Sequence, residues 1–358
     1  MTIFFFQNCS TGFEPAVEEK SLASLNQDQF SDLVTEQGAS IVNVEASILP
    51  SGRTWNLEWS DEFKGPSGQK PGGPWVFHDG FSSEFKYRDA TLTEQDAFLD
   101  GNSNLVMRAV VRNGRPETSY IRTTSFKDGQ NFLEGPPSNL ILDPSPGPLY
   151  IETSVKFDQA YQSEDAWWAF WLFGADSWDE TQNALFPSYN IPGIPRMDPY
   201  DGNAQSGMEV DIFEYVPYLG PNQYGSRNGF NMAAYTQVNP VLAQHMDTPD
   251  NGFVGNVNNF LTTSTGQAPN PPINLTDGRY HKIGMYWDMT KYEFFVDGYK
   301  IWEITDPNFI TRTRAQSIVL SWEVENGTWG DNTDRTFITN NRDVFVLVDY
   351  VRVFRAEN

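Results

Sequence analysis

From Trp55 onward the chain is a succession of short apolar or alternating runs, each closed by Gly, Pro, Asn or Asp. Asn104–Val111, Leu149–Phe157, Trp167–Phe173, His281–Trp287, Tyr292–Val296, Ser317–Val324 and Val344–Phe354 all have strand length and strand composition. Asp297-Gly298, between Val296 and Tyr299, predicts a two-residue hairpin turn. Long stretches with a helical period are absent, and so are internal repeats. The pattern predicts an all-β sandwich in one domain, residues 51–358. Residues 1–50 are polar and poor in aromatics after the first six positions, and read as a leader and flexible tether. Two long stretches rich in Pro, Asn and Gly, 179–207 and 239–277, read as loops.

One strand carries chemistry. Residues 209–214 read Glu-Val-Asp-Ile-Phe-Glu. Side chains alternate faces along a strand, so Glu209 and Asp211 point one way, and Val210 and Ile212 the other. Glu214 is five positions from Glu209, which a regular strand puts on the wrong face. A one-residue bulge at Ile212-Phe213 restores it, and bulges are common beside active sites. Three carboxylates on one wall cannot all stay ionised, which splits their proton affinities. A solvated acidic face is the alternative reading. The surroundings weigh against it: Tyr215, Val216, Pro217 and Tyr218 follow, and Trp167, Trp168, Trp171 and Trp178 precede. The two loops flank this strand and are expected to rim its cleft.

Composition narrows the partner class. Aromatics make up 15% of residues, more than a core usually needs, and flat rings offer platforms for the apolar faces of sugars. A formal net charge of −23 disfavours nucleic acid and anionic membranes. The single cysteine, Cys9, excludes an intrachain disulfide, and no apolar run approaches transmembrane length. The segment before Cys9 reads either as the end of a bacterial lipoprotein signal, with Cys9 the lipid anchor, or as a leader with an incidental cysteine. His78, His245 and His281 are scattered and predict no metal site.

Landmarks in order carry a resemblance. Trp59-Ser-Asp-Glu-Phe63, Tyr150-Ile-Glu-Thr-Ser-Val-Lys-Phe157, Ala169-Phe-Trp-Leu-Phe-Gly174, Glu209–Glu214, His281 through Asp297-Gly298, and Val348-Asp-Tyr-Val-Arg-Val-Phe354 resemble the successive signature strands of glycoside hydrolase family 16. The resemblance runs from about Trp55 to the C-terminus. It implies a jelly-roll sandwich of the concanavalin A-like type with a concave substrate cleft, and retaining hydrolysis of a β-glycosidic bond. It makes Glu209 the nucleophile and Glu214 the general acid/base, with Asp211 hydrogen-bonded to the nucleophile. Retaining enzymes hold two carboxyls about 5–5.5 Å apart, a spacing that same-face strand positions can supply. Trp171 matches a sugar-stacking tryptophan, and Trp168 is a second expected platform. Glu323 and Trp329 fall where family members contact substrate. No cofactor is implied for catalysis. A structural calcium is, with Asp349 in a ligand position and Glu62 and Gly101 as partners.

Departures bear on substrate. Laminarinases carry Trp-Pro where this chain has Trp167-Trp168, and a histidine strand where it has Phe230–Thr236. These differences, with the 179–207 insertion, move the expectation from β-1,3-glucan to a red-algal galactan such as agar, porphyran or carrageenan. Arg196, Arg227 and Arg279 are candidates to meet sulfate or ring hydroxyls. The reading is of a secreted or surface-anchored monomer acting on polysaccharide. A β-1,3-glucanase, a transglycosylase and a non-catalytic carbohydrate-binding protein are the alternatives.

Overall fold

The computed structural model describes residues 47–77, 86–87, 90–123, 140, 142–157, 166–174, 178–179, 184–185, 208–216, 229–236, 243–245, 275, 277–306, 310, 316–324 and 343–357. They form two large, mainly antiparallel sheets and a small ribbon, the jelly-roll sandwich expected.

The larger sheet has eleven strands. Its main path runs β18 (Tyr299–Ile304), β17 (Tyr292–Val296), β16 (His281–Trp287), β9 (Leu149–Phe157), β20 (Val344–Ala356), β6 (Leu105–Arg112), β7 (Arg115–Thr118), β4 (Ala90–Leu92) and β3 (Lys86–Tyr87). β1 (Trp55–Asp61) joins it beside β20, and β5 (Ala97–Leu99) beside β6. The β4–β7 pair is parallel. The second sheet has seven strands, in the order β15 (Ala243–His245), β14 (Gly229–Thr236), β13 (Met208–Val216), β10 (Ala166–Gly174), β19 (Gln316–Val324), β8 (Tyr120–Arg122) and β2 (Val76–Phe77). The ribbon pairs β11 (Trp178–Asp179) with β12 (Ala184–Leu185).

The core forms where the two sheets face each other. Alternation sends Leu149, Ile151, Val155 and Phe157 of β9 inward, and Trp168, Phe170 and Leu172 of β10 inward to meet them. Phe157 packs edge-on against Trp168 and also meets Phe213 and Tyr215, so one side chain of the larger sheet supports the carboxylate strand from below. The Trp322 indole donates across the layer to the Met107 carbonyl at 3.0 Å, which satisfies a buried N–H and fixes the two sheets in register. The β17–β18 hairpin turns through Asp297 (φ 48°) and Gly298 (φ 79°), the left-handed pair that such a two-residue turn requires. Asp297 also accepts from the Lys282 amide and meets the ring of buried His281, so the turn is tied to β16.

The outer face of the larger sheet is covered by the start of the described chain. Leu49 and Trp55 pack on Tyr150, Tyr286, Phe295 and Phe354. The Ile48 amide donates to Glu152 Oε2, Arg352 donates to Ser47 Oγ, and the Trp55 indole donates to the Pro50 carbonyl. The folded part therefore includes Ser47–Pro50, four residues that sequence reading gave to the leader. Buried Glu152 also accepts from Tyr350 at 2.7 Å, and burial together with this carboxylate pushes the tyrosine hydroxyl far above its usual range.

Candidate active site

The site is built on the outer face of the seven-stranded sheet, and a bulge makes it. Along β13, Phe213 lies opposite Phe170 and Asp211 opposite Trp171, so Ile212 is the extra residue. On the other side Asp211 pairs with Ala233 and Glu214 with Asn231: three steps on β13 against two on β14. Val210, Ile212, Phe213 and Tyr215 all enter the core. Glu209, Asp211 and Glu214 are left on the outer face. The apolar residues set this geometry, because burying both Ile212 and Phe213 requires the irregular step. Asp211 and Glu214 are buried, and Glu209 is half-buried.

The neighbouring strands complete the face. On β10, Trp167, Ala169, Trp171 and Phe173 share the side of the carboxylates; on β19, Ser317, Val319, Ser321 and Glu323; on β8, Tyr120 and Arg122. Register makes rows across the strands. Glu214, Ala169, Ser321 and Tyr120 form one row, and Asp211, Trp171, Val319 and Arg122 the next. Asn231, Ala233 and Tyr235 occupy the matching register positions on β14.

Hydrogen bonds then run diagonally. The Trp167 indole donates to Glu214 Oε1 at 3.0 Å. The Trp171 indole donates to Ser321 Oγ at 3.0 Å, and Ser321 donates to Glu323 Oε1 at 3.1 Å. Tyr120 and Phe173 each meet Trp171 edge to face. Arg122, fully buried, donates to Ser317 Oγ at 2.7 Å and lies over the Phe173 ring. Burial pushes the Tyr120 hydroxyl far above its usual range; the charge of Arg122 pulls it back, while Glu323 and Glu209 push it further up. The face thus joins four carboxylates to one guanidinium among the described residues of β8, β10, β13 and β19.

The expected residues divide as follows. Glu209, Asp211, Glu214, Trp171 and Glu323 share one face. Trp168 does not. It is 0% exposed and points into the core against Phe157, so it is a packing residue and no sugar platform. The reason is parity: Trp168 is an odd number of steps from Trp171. Trp329, Cys9, Arg196 and Arg227 lie outside the described residues. Arg279 is exposed, is paired with Asp277, and adjoins β16 of the other sheet. The residues that sequence reading missed are Trp167, Ser321, Tyr120 and Arg122. Strand alternation signals the first two directly.

The calcium expectation fits poorly at Glu62. Arg352 donates to both of its oxygens, at 2.9 and 2.7 Å, so that carboxylate is already engaged by a cation. Gly101 lies in a turn closed by the Asp100 side chain, and half-buried Asp349 sits at an irregular step of β20. Among the described residues no group of three or more His, Cys, Asp or Glu is placed to hold a metal ion.

Comparison with known proteins gives a consistent fold. No family model matches the sequence, and no curated protein matches it. Solved structures do. β-Agarase A from Zobellia galactanivorans is 18% identical, with 88% of this chain and 98% of that chain covered, at a TM-score of 0.54. A GH16 protein of the Bacteroides ovatus mixed linkage glucan PUL, in complex with G4G4G3G product, is 16% identical over 82% of this chain and 99% of that one, at 0.52. The endo-β-1,3-glucanase from Pyrococcus furiosus is 19% identical over 86% and 97%, at 0.50. At such identities the likeness is one of fold: this chain has the sandwich of those proteins.

Proposed function

We propose that the protein is a retaining, endo-acting glycoside hydrolase of family 16 that cleaves β-glycosidic bonds within a polysaccharide. The observation that carries this reading is the bulge at Ile212, which brings Glu214 onto the face of Glu209 and Asp211, beside Trp171. A surface acid row has no need of such a device. Carboxyls gathered on one buried face let one stay ionised while another keeps its proton, the division a double displacement requires.

In the first step an oxygen of Glu209 bonds to the anomeric carbon as the glycosidic C–O bond breaks. Glu214 gives its proton to the departing oxygen. In the second step water replaces that sugar. Glu214, now a carboxylate, takes a proton from the water, the new C–O bond forms, and the glycosyl–Glu209 ester breaks. Asp211, between the two on the same face, hydrogen-bonds the nucleophile when one of the pair carries a proton, which relieves the repulsion of the acidic cluster. Trp171 supplies an apolar ring for the sugar bound at the cleavage point.

For the substrate we infer a red-algal galactan. The support is Trp168 in place of the laminarinase proline and the absence of histidine from Phe230–Thr236. Arg279 is spoken for by Asp277 and gives this choice no support. β-1,3-Glucan is the second reading, since a protein of the same fold is an endo-β-1,3-glucanase. The apolar segment ending at Cys9 supports a secreted or lipid-anchored protein.

Product analysis on agarose, porphyran, κ-carrageenan, laminarin and lichenan tests the reading, with Glu209→Ala as control. Oligosaccharides from one galactan, missing in the control, are the expected result. Release from laminarin alone keeps the mechanism and overturns the substrate. Binding without release from any of the five, by a folded protein, favours a carbohydrate-binding protein. Products longer than the starting chains assign transglycosylation.

A further inference from the structure

We propose that Trp167 is a positioning residue that fixes which oxygen of Glu214 carries the catalytic proton. This rests on the reading of Glu214 as the general acid/base. The indole N–H of Trp167 lies 3.0 Å from Glu214 Oε1, and both side chains are buried. An indole nitrogen donates and never accepts. In a protonated carboxyl the carbonyl oxygen is the better acceptor, so Oε1 takes that role and the proton rides on Oε2. This donor biases the proton toward one oxygen, and only one of the two suits a given glycosidic oxygen.

The strand explains why the indole turns that way. Trp167 and Trp171 flank Ala169 on one face of β10, and Ala169 lies level with Glu214 on one side and Ser321 on the other. The small methyl leaves room for both rings. Trp171 turns its N–H to Ser321 on β19, and Trp167 turns its own to Glu214 on β13. The two indoles therefore serve opposite strands. Trp167 is itself paired with Glu323 in the strand register, so its ring is bounded on that side by a second buried acid.

The charge environment of Glu214 is mixed. On the same face lie Glu209 and Asp211 of its own strand, Glu323 of β19, and Tyr120 and Arg122 of β8; β10 gives the Trp167 donor, and Asn231 holds the register position on β14. Three acids favour the protonated form. A donor to Oε1 works in the other direction, since a hydrogen bond to a carboxyl stabilises its ionised form most. Removing the donor therefore has a definite sign: Glu214 holds its proton to higher pH.

The test is Trp167→Phe, which keeps a ring and deletes the N–H, measured on the polysaccharide cleaved in the product analysis and on an activated dinitrophenyl glycoside of the same sugar. The polysaccharide needs acid assistance and the aryl glycoside does not. The expected result is a loss of roughly tenfold in kcat/KM on the polysaccharide, about the worth of one hydrogen bond to a charged group, with less than about twofold on the aryl glycoside. The basic limb of the polysaccharide pH profile moves to higher pH. Equal losses on both substrates, or an unmoved limb, overturn the proposal. If Trp167→Phe does not fold, benzothienylalanine at position 167 replaces the N–H by sulfur in a ring of the same shape, and the same results are expected. Glu214→Gln separates this inference from its parent: full polysaccharide activity in that variant overturns the acid/base assignment itself. An inactive Glu214→Gln beside an unchanged Trp167→Phe overturns only the role of Trp167.

Discussion

Trp168→Phe separates the two tryptophans that the sequence offers as sugar platforms, Trp171 first and Trp168 second. Trp168 is wholly buried between the sheets, edge-on to Phe157. A tryptophan in such a place removes about 150–250 Å² from water, worth roughly 4–6 kcal/mol at about 25 cal/mol per Å². Truncation to alanine would cost about 3–5 kcal/mol, a large share of the roughly 5–15 kcal/mol that holds a domain folded. Phenylalanine keeps part of the contact with Phe157, so a loss of about 2 kcal/mol is expected, with a fall in Tm of roughly 3 °C for a domain of this size. Urea unfolding followed by circular dichroism reads this without relying on tryptophan emission. Oligosaccharide affinity, measured in the inactive Glu209→Ala background, should stay within about twofold. Trp171→Ala, at a ring that is also buried on the outer face, should lower Tm as well but in addition weaken affinity by roughly tenfold to a hundredfold, about the worth of one aromatic stacking platform. A Trp168→Phe protein of unchanged Tm and much weaker sugar binding would refute the burial argument, since a ring between the sheets cannot touch a ligand on the outer face.

Two further outcomes follow from the same geometry. Ser321→Ala removes the acceptor of the buried Trp171 N–H, and should cost about 1–3 kcal/mol of stability and raise KM more than it lowers kcat; unchanged KM and Tm would show that the indole is held by other means. Burial pushes Glu62 up, but Arg352 pulls it further down, so its carboxyl sits below the ordinary value of 4.5. A lowered folded value means that the ion pair stabilises above about that pH and is lost as pH falls through the folded value. Arg352→Met should therefore lower Tm at pH 6, with the gap from wild type closing below pH 4; a gap that stays constant down to pH 3 would contradict the pairing.

Much of this was legible in the residues. The alternation in Glu209–Asp211 fixed a face, and the mismatch of Glu214 predicted a bulge that the core enforces through Ile212 and Phe213. The hairpin at Asp297-Gly298 was legible because only a few residue types accept its backbone angles. Trp168 was misread because composition was given priority over parity. Alternation along β10 groups Trp167 with Trp171 and sends Trp168 to the other side. Tyr120 and Arg122 were hidden for another reason: β8 is three residues long, too short for a pattern, and it joins the site only through β19. The engagement of Glu62 by Arg352 joins residues 290 positions apart, and no local signal reports it.

The four residues Ser47–Pro50 have a consequence for how the molecule is presented. They are fastened to the outer face of the larger sheet, through Glu152, Arg352 and the aromatic patch. The carboxylate row lies on the outer face of the other sheet, with the full thickness of the sandwich between, two layers about 10 Å apart plus their side chains. Ser47, the first described residue, thus lies on the far side of the fold from the carboxylates. An extension joined at Ser47 therefore starts on the side of the sandwich opposite the carboxylates, with both sheets between it and a polymer bound along Glu209–Glu214.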